Sequence, residues 1–322
     1  MTLPYDKSAA VVILPSLAGE AVTDPGLRRW LSRASIDRAG KPRELLECVL
    51  ESLNLPYPDE GVAALRMWGQ TGERPTVWIA AADPVYLEPR MDHLCLHALY
   101  GDNMPSADLR EIFDYLQECL AGKERYGFAR IGSCGYIRAN APMMTSRSPA
   151  YLIDQQLPND YMPSGDDTGS YHTLRGEVEM ALHDHEVNLR RESDGFLPIN
   201  SLWLWGGGFA PEQNTEPHPP LFTNDPMLKG YWLSKTGVVG DWPGSIAACL
   251  DASVAGFVAL PGAGASNSGW LEPCLNELRA ALNSGRISRL TLILGDGYVV
   301  ELHRSDAWKF WRRSTALFGQ QN

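Results

Sequence analysis

The sequence predicts an α/β protein, and three features support this prediction. Apolar runs with no polar side occur near both ends of the chain, for example Ala9–Leu14 and Gly256–Leu260, as in strands that are covered on both faces. Stretches with apolar residues at helical spacing lie between such runs. Strands that alternate with helices are typical of a mainly parallel sheet packed between helices. The middle of the chain has a different rhythm, which predicts a separate α+β lobe.

The first part of the chain contains short signals followed by one clear helix. The short signals are a strand at Ala9–Leu14, helices at Leu27–Ala34 and Arg43–Leu53, and strands at Thr76–Ala81 and Leu94–Leu99. Ser106 can cap the clear helix, and Leu109, Ile112 and Leu116 follow at helical spacing before Gly122 ends it. A strand at Phe128–Ile137 comes next.

A long loop separates this part from the second half. Thr145–Gly169 holds three prolines, two glycines and four aspartates, a composition typical of a surface loop. A helix at Thr173–His185 and a strand at Ser201–Trp205 follow it. The remaining signals are a Pro-rich loop at Ala210–Phe222, a strand at Gly256–Leu260, a helix from Ser268 to Gly285, a hairpin of Leu290–Leu294 and Tyr298–Leu302 around Gly295–Gly297, and a tail helix at Ser305–Leu317.

These signals predict the domain organisation. We expect an α/β core formed by residues 1–74 and 195–322, with helices on both faces of its sheet, and a smaller inserted α+β lobe at residues 75–194. Four apolar strands have no obvious solvent face and are expected to share the core sheet. They are Ala9–Leu14, Leu202–Trp205, Gly256–Leu260 and Leu290–Leu294.

Composition excludes several classes of function. The chain has 322 residues, 44% of them hydrophobic, and a formal net charge of −11, which argues against nucleic acid or an anionic membrane as a partner. The six cysteines form no C-x-x-C pair, and no apolar run reaches the ~20 residues that a membrane-spanning helix needs. The N-terminus has no basic region followed by an apolar core, so we expect a cytoplasmic protein.

The segment Leu182–Gly208 concentrates polar groups around an alternating tryptophan strand and three glycines. It is the candidate lining of a polar cleft that takes a small anionic metabolite, because arginine forks bind carboxylates and phosphates and glycines permit close approach. The candidate ligand-binding residues are His183, His185, Asn188, Arg190, Arg191, Asn200, Gly206, Gly207 and Gly208.

Each of these candidates also has a structural interpretation. The histidines suit the C-terminus of a helix, where the helix dipole favours them. The arginines can pair internally with Glu192 or Asp194. The glycines can simply form a bend. Both interpretations remain open at the level of sequence.

Two stretches of this sequence resemble a known family. HDHEVNLRRESDG at His183–Gly195, followed by PINSLWLWGGG at Pro198–Gly208, resembles the RpfE-type regulatory proteins. That family is distantly similar to archaeal-type cofactor-independent phosphoglycerate mutases, and WIAAADPVYL at Trp78–Leu87 is similar to the opening strand of the smaller lobe in those mutases. The resemblance implies an alkaline-phosphatase-like core sheet interrupted by that lobe.

The resemblance also implies a chemistry that this sequence does not match. Alkaline-phosphatase-like mutases use two divalent metals held by Asp and His, with a Ser or Thr nucleophile, and the first such Asp follows the first buried strand. Here that strand runs into Pro15 and Ser16, and the next acids are Glu20 and Asp24. The sequence therefore predicts no metal site and no required cofactor. It predicts a phosphoglycerate-mutase-like protein that has lost phosphotransfer and acts in binding or regulation between core and lobe.

Two other functions stay open. The first is an active metal-dependent phosphoglycerate mutase or phosphatase on a small phosphorylated metabolite, which would need Mn or Zn and would use His183, Asp184, His185 and Arg191. The second is a structural protein that binds a protein partner, whose identity the sequence does not give.

Overall fold

The computed structural model describes residues 8–17, 21–38, 43–121, 125–253, 256–262 and 269–308. The chain forms two compact units, which we call unit 1 (Met1–Tyr57 with Gln213–Asn322) and unit 2 (Pro58–Glu212). The expected start of the helix near Ser268 and most of the expected tail helix lie outside the described residues.

The first segment of unit 1 alternates strand and helix. Its elements are β1 (Ala9–Leu14), α1 (Pro25–Leu31), β2 (Ser35–Arg38) and α2 (Leu45–Ser52). Helix α1 begins after Asp24, whose carboxylate accepts hydrogen bonds from the first amides of the helix, with Pro25 in the first turn. All six residues of β1 are buried, as expected for an apolar run covered on both faces.

Unit 2 contains the long middle part of the chain. Its elements are α3 (Val62–Thr71), β3 (Trp78–Pro89), β4 (Leu94–Ala98), α4 (Ser106–Leu120), β5 (Tyr126–Ile131), β6 (Cys134–Ala139), α5 (Gly169–Leu182), α6 (Glu186–Ser193) and β7 (Ser201–Gly208). The expected loop at Thr145–Gly169 contains short 3-10 turns before α5 and one isolated β-bridge, between Ser146 and Trp205.

The second segment of unit 1 completes its sheet. It contains β8 (Leu221–Phe222), α7 (Pro226–Leu233), β9 (Val239–Gly240), α8 (Ile246–Ala252), β10 (Phe257–Ala259), α9 (Leu271–Ser284), β11 (Arg289–Leu294) and β12 (Tyr298–His303), then a 3-10 turn at Arg304–Trp308. Gly285 ends α9 with φ +78°, a left-handed conformation that favours glycine.

The seven-stranded sheet of unit 1 has the order β2-β12-β11-β1-β10-β8-β9. The five strands from β11 to β9 run parallel, and β12 and β2 continue the sheet antiparallel. The predicted α/β class is confirmed, and so are the shared sheet of β1, β10 and β11 and the hairpin of β11 and β12.

The prediction that Leu202–Trp205 joins this sheet is wrong. Strand β7 pairs antiparallel with β3, from Ala81 opposite Trp205 to Val85 opposite Ser201. It lies in the five-stranded sheet of unit 2, in which four strands have the order β4-β3-β6-β5. Strand β7 pairs with β3 along the edge opposite the one that β4 and β6 occupy. Helices α3 and α5 contact β7, so this strand is covered on both faces without belonging to the parallel sheet.

The unit boundaries follow from the same pairing. Unit 2 begins at Pro58 and ends at Glu212, whereas the sequence analysis placed the lobe at residues 75–194. Helix α3 contacts both β3 and β7, and β3 pairs with β7, so these three elements stay together in one unit. Among the described residues no helix is both long and apolar enough to cross a membrane.

Candidate functional site

The two candidate histidines lie at the junction between α5 and α6. The side chain of His183 is 81% exposed and lies beside that of Asp184. His185 has extended backbone and caps α6, because its Nδ1 accepts the Val187 amide hydrogen bond at 3.2 Å. Its ring packs against Tyr115 with centroids 4.3 Å apart. The helix predicted at Thr173–His185 therefore ends at Leu182, and the two histidines lie in the turn between α5 and α6.

The two candidate asparagines form hydrogen bonds to the backbone of neighbouring segments. The Asn188 amide nitrogen donates to the carbonyls of Leu182 and Ile199, at 2.9 and 2.8 Å, and its Oδ1 accepts the Ile199 amide at 2.7 Å. Asn200 accepts from the amide of Leu87 and donates to its carbonyl. Asn188 thus satisfies backbone groups at the end of α5 and ahead of β7, and Asn200 satisfies backbone groups of β3.

Arg191 is the most completely satisfied of the candidates. Its side chain is 1% exposed, and its Nη1 lies 2.9 Å from Asp108 Oδ2 on α4. Its Nε donates to the Leu197 carbonyl and its Nη2 to the Asn103 carbonyl. A buried arginine with an ion pair and two carbonyl acceptors has the contacts that its burial requires. The counter-charge comes from another helix, whereas the sequence analysis considered Glu192, Asp194 or an external anion.

Arg190 also pairs with acids of α4, but on the solvent-exposed side of the helix. Its Nη2 lies 2.9 Å from Glu111 Oε2 and 3.3 Å from Asp108 Oδ1. Its side chain is 46% exposed, so solvent screens these pairs.

The three glycines permit close approach of the protein's own chain. A Cβ on Gly207 would lie 2.5 Å from the Trp78 ring and 2.9 Å from Thr145 Oγ1. Gly206 and Gly208 have φ of +63° and +155°, and a Cβ on Gly208 would lie 2.3 Å from the Gly61 amide nitrogen. The space that glycine leaves at these positions is filled by the protein. Ligand binding by the nine candidate residues stays a prediction.

A polar cluster that the sequence analysis did not single out lies in unit 2. Asp83 Oδ2 accepts the indole hydrogen bond of Trp205 at 2.6 Å, and Asp83 Oδ1 lies 3.7 Å from Arg66 Nη1. Burial raises the pKa of the Asp83 carboxyl, against the opposing effects of Arg66 and the Trp205 indole. The Arg66 guanidinium also donates to Tyr136 Oη at 2.9 Å. The signal in the sequence was an aspartate inside an otherwise apolar strand.

The carboxyl edge of the parallel strands carries a second polar group. Ser16 follows β1 and Asp296 follows its neighbour β11, and the Ser16 hydroxyl donates to the Asp296 carboxylate. Ligand sites of α/β sheets lie at this edge. Asp296 was predicted to lie in a hairpin turn, and its contact with Ser16 was not predicted.

Glu44 is a buried acid of unit 1. Burial raises its pKa to about 7, the charge of Asp225 adds to the rise, and hydrogen bonds from the Leu46 and Glu47 amides oppose it. Its carboxylate caps α2.

Several arginines line another part of unit 1, a cavity of about 420 Å³ that we call the arginine pocket. Its polar lining includes Arg29, Arg33, Arg279, Arg304, His303 and Asp306. These residues come from three places, namely α1 and its following turn, α9, and the end of β12. Among the described residues, Arg29, Arg279 and Arg304 form no ion pair.

The arginine pocket was missed because its residues are far apart in sequence. The only local signal is Arg29 and Arg33, which are four residues apart and so lie on one side of a helical turn. Among the described residues of the lining, Asp306 is the one carboxylate, and its Oδ2 accepts the His303 amide.

Comparison with known proteins gives a distant relation. No family model matches the chain. The 2,3-bisphosphoglycerate-independent phosphoglycerate mutase of Methanosarcina acetivorans is 37% identical over 71 residues, which are 22% of this chain and 18% of that protein. A probable enzyme of the same name from Geobacter sulfurreducens is 25% identical over 128 residues, 39% of this chain and 32% of that protein. Each match thus spans less than a third of the relative.

A comparison with solved structures gives a neighbour of low sequence identity. The cofactor-independent phosphoglycerate mutase from Thermoplasma acidophilum superposes with a TM-score of 0.44 and 16% identity, over 92% of this chain and 89% of that one. The sequence matches indicate a distant relation of this chain to archaeal cofactor-independent phosphoglycerate mutases.

Proposed function

We propose that this chain is a phosphoglycerate-mutase-like protein that binds a small anionic metabolite in the arginine pocket and acts in binding or regulation. One observation carries the proposal: four arginines from three separate elements line one cavity of a chain whose formal net charge is −11. The regulatory role agrees with the resemblance to RpfE-type proteins. The six free cysteines suit a reducing compartment, so the proposal includes a cytoplasmic location.

The electrostatics of the pocket favour an anion. Like charges that converge repel one another, and among the described residues of the lining Arg29, Arg279 and Arg304 form no ion pair. An anion relieves this repulsion, and each planar guanidinium can bind a carboxylate or phosphate through two parallel hydrogen bonds. A volume of about 420 Å³ lies within the range of small-molecule sites.

The position of the pocket supports regulation over catalysis. His303 pairs with Arg289, the first residue of β11, so this pocket lies toward the amino ends of the parallel strands. Catalytic sites of α/β sheets lie at the opposite, carboxyl edge. A metabolite in the arginine pocket would therefore act away from the edge that carries Ser16 and Asp296.

The test is ligand-dependent stability. We expect inorganic phosphate or 3-phosphoglycerate to raise the melting temperature. At a ligand concentration of tenfold Kd, the free energy of unfolding should increase by about 1.4 kcal/mol. The double variant Arg33→Ala with Arg279→Ala should lose this rise. The control is Arg110→Ala, which removes an exposed arginine of α4. A rise that survives in the double variant, or no rise in the parent protein, would contradict the proposal.

A second candidate function, phosphoryl transfer, is favoured by the Ser16 hydroxyl and Asp296 carboxylate at the carboxyl edge. The described residues of this edge do not bring three Asp, Glu, His or Cys donors together, so they do not fit the two-metal site that the resemblance implies. We would measure conversion of 3-phosphoglycerate with and without Mn²⁺ in the parent protein and in Ser16→Ala. Turnover that Ser16→Ala abolishes would favour this second function.

A further inference from the structure

Three metal-ligating side chains share one face of the hairpin formed by β3 and β4. Glu88 stands directly opposite Cys95, and His97 follows Cys95 two residues later, so alternation puts all three on the same face. Their ligating oxygen, sulfur and nitrogen atoms lie within 4.8 Å of one another. Among the described residues this is the only such group of three.

We propose that Glu88, Cys95 and His97 form a binding site for a divalent transition-metal ion, with zinc as the best match. Zinc binds thiolate, imidazole and carboxylate in tetrahedral geometry, with ligand bonds of roughly 2.0 to 2.3 Å. Calcium and magnesium prefer oxygen ligands only, so the thiol and imidazole disfavour them. Three protein ligands leave the fourth position for water or an exogenous ligand.

The scaffold holds two of the ligands in place before a metal binds. Strand β4 pairs with β3 on one edge, and on the other edge Leu96 exchanges backbone hydrogen bonds with Gln155 and Gln156. The Ala98 amide donates to Asp154 Oδ1 at 2.9 Å, which fixes the end of the strand. Ligands on strands that are paired on both edges are positioned more precisely than ligands on loops.

The contacts around His97 orient its ring toward the site. The ring stacks on Tyr86 with centroids 5.9 Å apart, and its Nε2 lies 2.9 Å from Glu88 Oε2. A metal ion would replace the hydrogen bond between these two atoms. It would also displace the Cys95 thiol proton, because the thiolate is the ligand, so binding should release protons and strengthen as pH rises.

Arg90 competes with a metal ion for the same carboxylate. Its guanidinium donates to Glu88 Oε2 at 2.8 Å, and its side chain is 51% exposed. Removal of this cation should therefore strengthen metal binding. Such a gain in affinity is not expected if the three residues only stabilise the hairpin.

The first experiment needs no variant. Co²⁺ is titrated into the purified full chain, and we expect one equivalent to bind with a thiolate-to-cobalt charge-transfer band and intense visible bands of tetrahedral cobalt. Zn²⁺ should bleach these bands stoichiometrically. A parent protein that gives no charge-transfer band would overturn the proposal.

Matched variants then identify the ligands. Cys95→Ser should abolish the charge-transfer band, whereas Cys119→Ser, which changes an exposed cysteine elsewhere in unit 2, should keep it. His97→Ala should weaken Zn²⁺ binding at least tenfold by calorimetry, while His93→Ala, in the turn of the same hairpin, should leave it unchanged. Arg90→Ala should tighten binding several-fold. Circular dichroism of each variant checks folding, and equal affinity in His97→Ala and His93→Ala would refute the assignment.

Discussion

The arginines of the Leu182–Gly208 segment and those of the arginine pocket differ in where their counter-charges come from. Arg191 and Arg190 both contact Asp108 of α4, so the segment's positive charge is neutralised inside the protein. Four arginines line the arginine pocket, and Arg29, Arg279 and Arg304 form no ion pair with any described residue. A dense polar motif therefore proved to be internally satisfied, and dispersed residues formed the site with excess charge.

This difference shows what a polar motif indicates. Burial makes an unpaired arginine costly, so a buried polar segment must recruit acids from whichever element packs against it. The sequence of the segment cannot show that element. A surface cavity carries no such requirement, and its excess charge can be left for a ligand.

The largest expected effect separates a structural arginine from a ligand-binding one. Arg191→Ala should lower the free energy of unfolding by about 3 to 5 kcal/mol, because it leaves Asp108 buried without its closest cation. Urea denaturation would measure the loss, and phosphate should not restore it. A loss below about 1 kcal/mol, the range of exposed pairs, would show that the ion pair is not buried in solution.

Glu44 extends the comparison to a buried acid whose charged neighbours are also acidic, Asp225 and Glu47. Its pKa is raised from 4.5 to about 7 in the folded chain, so the folded state holds the proton more tightly than the unfolded state. The resulting stabilisation is fully present below pH 4.5 and is lost as pH rises through 7, a change of about 3 kcal/mol.

The test for Glu44 is the pH dependence of stability. Glu44→Gln keeps an oxygen that can cap α2 and removes the titration. Urea midpoints at pH 5.5 and pH 8 should fall less between these values in the variant than in the parent protein. Parallel losses in both proteins would place the titration elsewhere.

A smaller effect distinguishes close packing from room for a ligand at Gly207. Gly207→Ala should cost about 1 to 3 kcal/mol, because the new Cβ overlaps the Trp78 ring and Thr145. The control is Gly176→Ala in the middle of α5, where no atom lies within 4 Å of the added Cβ. That substitution should stabilise the helix by about 0.5 to 1 kcal/mol. If the Gly207 variant is as stable as the parent, the close packing at Gly207 is contradicted and room for a ligand at this position is again a possible interpretation.

The smallest effect compares one arginine from each cluster. Arg304→Ala should raise the urea midpoint, because it removes one of several like charges in the arginine pocket. Arg190→Ala should lower it slightly, because it breaks exposed pairs with Glu111 and Asp108. Both changes should shrink in about 1 M NaCl, where the Debye length is ~3 Å. Changes of the same sign in both variants would remove the distinction between the two clusters.

The sequence predicted local elements well, because each depends on contacts within a few residues. The apolar run of β1, the hairpin of β11 and β12, and the position of α4 follow from periodicity and turn chemistry. The predicted cap of α4 by Ser106 is wrong, because Ser106 is the first residue of the helix and the cap position is Pro105, with no side-chain cap hydrogen bond. The end of α5 near the histidines was predicted, although α5 ends at Leu182 and not at His185. Helix α6, which His185 caps, was not predicted, because this cap depends on the local backbone conformation.

By itself, the sequence determined the α/β class, most strand and helix positions and a chain with an excess of acids. Tertiary structure decided the sheet to which β7 belongs, the partner of Arg191 and the gathering of the pocket arginines. The physical reason is that these features depend on contacts between residues far apart in the sequence. An apolar run buries equally well in either sheet, and an arginine pairs equally well with any acid of suitable geometry, so only the three-dimensional packing selects between them.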